Sequence, residues 1–154
     1  MLDINIIAIG KINDSSTKFL TDEYFKRLKP YAKIKITELK EESFSDSNAK
    51  QAKDAEAVKI IKTISKNTNS FIICLDENGD HFTSTEFANF LENINGPIAM
   101  IIGGSLGLSS SVLDKSQKSI SLSKMTFTHE MARLFLLEQI YRATTIINNK
   151  KYHH

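Results

Sequence analysis

Only one cysteine, Cys74, occurs among the 154 residues, which excludes an internal disulfide framework and a multi-cysteine zinc site. No apolar run approaches the roughly 20 residues that cross a bilayer. The opening MLDINIIAIGKIND has no basic leader and carries Asp3, so no signal peptide is expected. No internal repeat, linker or low-complexity stretch divides the chain. Charge of one sign is also scarce overall, since 20 Lys and Arg face 18 Asp and Glu for a net of +2. What remains is 41% hydrophobic and 25% charged, the balance of a globular protein rather than a disordered tail. A domain of this length buries roughly 70% of its chain surface and needs neither metal nor disulfide. One cytoplasmic domain over residues 1–154 is expected, with no metal and no membrane partner.

The small net charge hides an asymmetry. Residues 1–114 hold 13 Lys and Arg against 16 Asp and Glu, whereas residues 115–154 hold 7 against only Glu130 and Glu138. His129, His153 and His154 also fall in that basic part. Clustered cations suit an anionic partner such as nucleic acid. Lysine makes up 17 of the 20 cations, so the patch is equally consistent with a lysine-rich composition scattering charge by chance.

Strand and helix patterns alternate along the chain. Residues 2–10 are a β-branched apolar run, and Asp14, Ser15 and Ser16 offer N-caps to a helix that Pro30 stops. Residues 33–40 alternate as a half-exposed strand does, and 49–66 repeat apolar residues at helical spacing. Residues 71–79 read as a strand closed by an Asn-Gly turn, 84–93 as a short helix, and 97–104 as an apolar strand ending in paired glycines. A helix over about 109–118, a strand at 120–123 and a long helix from His129 to about Ile147 complete the pattern. This order predicts an α/β domain with a mainly parallel sheet and flanking helices. The last helix is apolar nearly all round, which suggests either deep burial or a homo-oligomer interface.

Residues 98–116, IAMIIGGSLGLSSSVLDKS, carry the most chemistry. Gly103, Gly104 and Gly107 let backbone approach a ligand at the carboxyl end of a parallel strand. The spacing is neither a P-loop nor G-x-G-x-x-G, so a purely structural turn stays open. Leu75-Asp76 and residues 122–127 end two further strands at the same sheet edge. Three such loops would form a pocket of apolar walls and backbone donors, suited to a flat uncharged ring such as adenine.

The segment IIGGSLGL, followed by SLSKMTFTHEMARLFLLEQIYRA and closing on KYHH, resembles the RlmH family. These are bacterial 23S rRNA pseudouridine N3-methyltransferases of the SPOUT superfamily. The resemblance runs from AIGK to the terminal Tyr-His and so covers essentially the whole chain. It implies an α/β fold with a C-terminal deep trefoil knot, the cofactor-binding part spanning about 71–147 and a short basic tail 148–154. It implies a homodimer and S-adenosyl-L-methionine as cofactor, contacted by Leu75, Gly103, Leu122, Ser123, Lys124, Met125, Thr126 and Phe127. The implied substrate is N3 of a pseudouridine in 23S rRNA within the assembled ribosome. His129, Arg133, Arg142, Tyr152 and His153 become the catalytic and RNA-contacting candidates. The chain departs from the family pattern at Thr128 and Glu130, which flank His129, and at the second histidine, His154.

His129 and Arg133 share one helix face, whereas Arg142 lies about half a turn away in azimuth. Two arginines so placed do not serve one pocket of one subunit, but in a dimer one could reach the partner's cofactor. Each residue also has a structural reading: Arg142 is spaced to pair with Glu138, and His129 stands where a helix cap belongs. Two competing functions are a non-catalytic ribosome-binding or assembly protein and a monomeric nucleotide-binding regulator of flavodoxin-like topology. Binding of S-adenosyl-L-methionine separates the first, and a flavin absorbance would reveal the second.

Overall fold

The computed structural model describes residues 1–66 and 69–152. Five strands and five helices follow in the order β1 (Leu2–Ile9), α1 (Ser15–Leu28), β2 (Ala32–Leu39), α2 (Ala49–Ile64), β3 (Phe71–His81), α3 (Ser84–Glu92), β4 (Ile98–Ile102), α4 (Ser110–Leu113), β5 (Lys118–Ser121) and α5 (His129–Ile147). All pair in parallel in one sheet, β2-β1-β4-β3-β5. This is the α/β architecture that the alternating pattern predicts.

The burial of each strand follows its place in that order. The five residues of β4, between β1 and β3, are all buried, so the strand reads as an unbroken apolar run. The edge strand β2 alternates instead, with Lys33 and Lys35 exposed. Two cores result. Ile4, Ile6, Met100, Leu136, Leu137 and Ile140 share one with α3 and α5, and α1 packs there through Leu28. Ile7, Ile9, Cys74, Ile101 and Val112 share the other with α2, through Ala57, Ile60 and Ile64. The helices therefore cover both faces, as parallel sheets require.

Helix starts are fixed by side chains that satisfy otherwise orphaned amides. Asp14 accepts from Thr17 N at 2.7 Å at the start of α1, and this holds its carboxyl below the usual carboxylate value. Thr83 and Glu86 form a capping box on α3. Thr128, rather than His129, caps α5.

Three elements differ from the pattern reading. β3 does not close at Asn78-Gly79 but runs on to His81. Ile120 of β5 pairs with both Leu75 and Asp80, so residues 76–79 are an excursion within one strand pairing. A Cβ on Gly79 would lie 2.6 Å from the Ile120 carbonyl carbon, so glycine serves the close approach of two backbones rather than a hairpin. The helix expected over 109–118 spans only Ser110–Leu113. Beyond it the bonds tighten, from Lys115 N to Val112 O and Ser116 N to Leu113 O, and Gln117 N turns to Ile72 O in the sheet. β5 accordingly begins at Lys118, two residues before the expected start, and ends at Ser121.

Candidate functional site

The excursion within β3 and the connections that leave the carboxyl ends of β4 and β5 surround a cleft of about 1280 Å³. The first wall is Leu75 with the excursion Asp76–Asn78, where Asp76 Oδ1 accepts from Asn78 N at 2.9 Å. The second is Ile102 through Leu108, turned by a bond from Gly107 N to Gly104 O of 3.0 Å. The third is the β5–α5 connection, whose path is set by Ser121 Oγ donating to Ser123 O at 2.8 Å and Met125 N donating to Ser123 Oγ at 3.0 Å. Open α/β sheets bind ligands at such an edge.

Of the residues expected to hold the cofactor, Leu75, Gly103, Leu122, Ser123, Met125, Thr126 and Phe127 line this cleft. Lys124 is exposed and stands outside its lining. Gly103 is required by its own loop: a Cβ there would come within 2.9 Å of the Gly107 carbonyl carbon. Leucines and glycine backbone make walls fit for an uncharged ring, with peptide groups for its edges. Among the described residues, no group of three or more His, Cys, Asp and Glu is placed to hold a metal ion.

His129 also lines the cleft. Its Nε2 lies 3.1 Å from where a Cβ on Gly10 would stand, so the imidazole is seated over the end of β1. The neighbouring Glu130 clasps the β1–α1 connection, accepting from Asn13 N at 3.0 Å and Asp14 N at 3.2 Å. Asp14, Thr17 and Lys53 complete that side. Sequence reasoning saw Asp14 only as a helix cap and Glu130 only as a departure from the family pattern, and it missed Thr17 and Lys53, because meeting at this cleft depends on contacts far apart in the chain.

Behind the glycine loop lies an acidic pair. Glu41 Oε1 accepts from Ser105 Oγ at 3.2 Å. Glu56, only 3% exposed, accepts from Glu42 N at 3.0 Å with one oxygen, while the other has no partner among the described residues. Burial raises the Glu56 pKa, and the nearby Glu41 adds to the rise. Cys74 is buried too, and desolvation pushes its thiol to about 11, which makes it unreactive.

The remaining candidates do not meet at this cleft. Arg133 is 1% exposed and donates to Glu38 Oε1 at 2.6 Å and to Gly10 O at 2.9 Å, joining the ends of β1 and β2. Arg142 lies thirteen residues beyond His129, about 20 Å along α5. Its Nε and Nη2 both donate to Glu138 Oε1, at 3.1 and 2.6 Å, and its guanidinium stacks on the Tyr152 ring with 4.9 Å to the centroid. Tyr152 in turn donates to Glu138 Oε1 at 3.3 Å and packs against Tyr141. Burial first, then Tyr24 and Glu138, push the Tyr152 phenol to about 12. His153 lies outside the described residues.

Comparison with known proteins gives the same family by two routes. The model of a family described as "Predicted SPOUT methyltransferase" matches residues 2–153. The chain is 43% identical to the "Ribosomal RNA large subunit methyltransferase H" of Clostridium botulinum (strain Langeland), covering 99% of both chains. It is 41% identical to the protein of that name in Clostridium tetani, again over 99% of both. Among solved structures, a methylase family protein of Haemophilus influenzae superposes with a TM-score of 0.60 at 17% identity, over 100% of this chain and 72% of that one. The TrmH/SpoU tRNA-modifying enzyme of A. aeolicus gives 0.53 at 11% identity, over 97% and 78%. At such identities the two structures speak to the fold alone.

Proposed function

The chain belongs to the SPOUT methyltransferase family, and from that premise we propose that it methylates N3 of a pseudouridine in 23S rRNA on assembled ribosomes. The observation that carries this reading is the gathering of Leu75, Gly103, Leu122, Ser123, Met125, Thr126 and Phe127 around one cleft at the sheet's carboxyl edge. S-adenosyl-L-methionine would supply an activated methyl group there, held by those residues. Lys124, exposed and outside the lining, is the one expected residue that the cleft does not gather. The fit is one of donor chemistry: apolar walls for the adenine ring and loop backbone for its polar edge.

The chain's own residues bring the nucleobase to the methyl donor. Transfer would exchange the N3–H bond for an N3–CH3 bond, with the methyl group supplied by bound S-adenosyl-L-methionine and the proton passing to solvent. Holding N3 in line for that exchange supplies much of the acceleration. Cations beside N3 supply more, by stabilising its anion. His129 is the candidate at the cleft itself, while Arg142, Tyr152 and His153 are candidates on the C-terminal arm. The Tyr152 phenol, raised to about 12, stays protonated at working pH and therefore donates rather than abstracts.

One protomer keeps Arg142 about 20 Å along the helix from His129, so the active unit is a homodimer with the arm of one subunit completing the cleft of the other. An exposed apolar patch beside the cleft supports this. Met125 is 77% exposed, and the Phe127 and Phe135 rings, 5.0 Å apart, are also exposed. Residues of about 71–147 form the cofactor-binding trefoil knot, with 148–154 as a tail. In its favour, the β4–β5 connection passes over β3 on the α2 face, and the chain then returns as α5 on the opposite face.

The test mixes purified protein and labelled S-adenosyl-L-methionine with ribosomes lacking this methylation, beside naked 23S rRNA. Label entering ribosomal RNA at a pseudouridine is the expected result. Cofactor binding without label in either substrate would leave a non-catalytic ribosome-binding protein.

A further inference from the structure

We infer that a second cleft, of about 600 Å³ on the other side of the β1–α1 connection, is a backbone-phosphate subsite for the RNA strand. This rests on the rRNA methyltransferase reading and adds a place where the strand is gripped.

Lys11, Lys18, Thr21, Asp22, Glu38 and Arg133 are among its lining. Thr21 and Arg133 are both more than nine-tenths buried. Each also holds a buried polar atom without a partner among the described residues, Thr21 Oγ1 and Arg133 Nε. Such an orphan is costly to leave unmade, and two of them on residues that line one cleft point to a group that completes them. Arg133 Nε–H can only donate, and the Thr21 hydroxyl can also donate, so the missing group is an acceptor.

The charges select an anion. Glu38 is committed to Arg133 by its 2.6 Å bond. Asp22 is 3.9 Å from Lys18 in an exposed i,i+4 pair, a contact worth little in water. Three cations against two carboxylates leave one net positive charge across the lining, carried by the exposed Lys11 and Lys18. An acceptor with one negative charge is the description of a phosphodiester group.

Position selects RNA as its source. The connection that brings Lys11 to this cleft carries Asp14 to the cofactor cleft, and on α1 Thr17 of that side adjoins Lys18 and lies one turn from Thr21 of this one. A strand delivering its base to the first cleft therefore passes the second. Arg133 takes the place here that the resemblance gave it at the catalytic centre: it underlies a phosphate and leaves the base to His129.

The test titrates labelled protein with 70S ribosomes over a series of salt concentrations and, separately, with S-adenosyl-L-methionine. The variants are Lys11→Ala/Lys18→Ala, Thr21→Val, and Lys50→Ala/Lys62→Ala as an equal-charge control on α2, against the other face of the sheet. For the first pair, the slope of log affinity on log salt should become shallower by roughly 0.7–0.9, the loss of one phosphate contact. Thr21→Val should weaken ribosome binding several-fold at fixed salt, and cofactor affinity should hold in every variant. A slope no different from that of the control pair overturns the subsite, as does a loss confined to cofactor affinity. If inorganic phosphate raises the melting temperature through Lys11 and Lys18 while the ribosome slope stays unchanged, the cleft takes free anions and the RNA assignment is wrong. If the wild type binds cofactor but no ribosomes, the rRNA reading fails first and this inference with it.

Discussion

Gly103 and Gly107 sit so close that a Cβ on the first would meet the carbonyl carbon of the second at 2.9 Å and its oxygen at 3.1 Å. This wall of the cleft is thus a backbone-on-backbone contact, and even one methyl group must push the 103–108 loop aside. Gly103→Ala should therefore lower affinity for S-adenosyl-L-methionine about tenfold or more, since misplacement on the ångström scale costs such factors. The melting temperature should also fall, because that Cβ would lie 3.2 Å from Cδ2 of Leu108, which belongs to the core on the α2 face. Calorimetric titration beside a thermal melt checks both; unchanged affinity would remove this loop from the binding site.

Arg133 is the largest polar side chain buried in the fold. Arg133→Leu leaves Gly10 O and Glu38 without their donor and should cost about 2–4 kcal/mol, toward the lower end for a broken buried pair because Glu38 reaches solvent. Glu38→Gln keeps an acceptor and should cost about 1 kcal/mol. Urea unfolding compares the two, and equal losses would show that the Gly10 carbonyl bond contributes nothing.

How legible these contacts were depended on their range. The bounds of α5 followed from its capping position and apolar spacing, and β1 and β4 from β-branched runs that only a central parallel strand uses. The loops were legible as a set, because three apolar strands must end at one edge. Asn78-Gly79 misled because an Asn-Gly pair carries the same local signal whether a hairpin turns there or a strand bulges. Only the return of Asp80 to Ile120, forty residues away, decides between them. The helix after the glycine loop was overextended for a similar reason: Gln117 is claimed by β3, and no local propensity records that claim. Glu41 and Glu56 lie far in sequence from Gly104, so their place behind the loop had no signature.

Glu56 gives the fold a pH dependence of its own. Burial raises its pKa above 4.5, Glu41 and Glu42 push the same way, and Lys59 and the Glu42 amide oppose them. The native state therefore keeps this proton where the unfolded chain has lost it. The associated stability is present below pH 4.5 and falls as pH rises through the higher native value. Glu56→Gln retains an acceptor for Glu42 N and never ionises, so it should be more stable than wild type at pH 8 and should lose that advantage near pH 4. Melting temperatures of both proteins across this range give the answer, and a difference independent of pH would contradict it.

The distance between the two ends of α5 makes the composite site testable with inactive parts. Gly103→Trp should abolish cofactor binding, and Arg142→Ala should abolish transfer without affecting cofactor binding. Mixed and allowed to exchange, half of the dimers carry one of each, and each such dimer regains one intact site from two damaged chains. Activity should return to about a quarter of wild type by the statistics of a two-fold dimer. A chain carrying both changes, mixed with itself, should recover nothing. If the first mixture also stays inactive, cleft and arm belong to the same subunit.

The double pairing of Ile120 divides the walls of the cleft into fixed and adjustable ones. Because Leu75 and Asp80 close on the same residue, the rim at 76–79 is a stitch, tied before and after, with Gly79 pressed against the Ile120 backbone. It cannot swing outward without unpicking the edge strand. The segment from Ser123 to Phe127 is tied mainly to itself, through the Ser123 bonds, and to the start of α5 through Thr128. If the cleft holds the cofactor as proposed, exchange of spent for fresh would be a one-sided movement, with β3 as the jamb and the β5–α5 connection as the door.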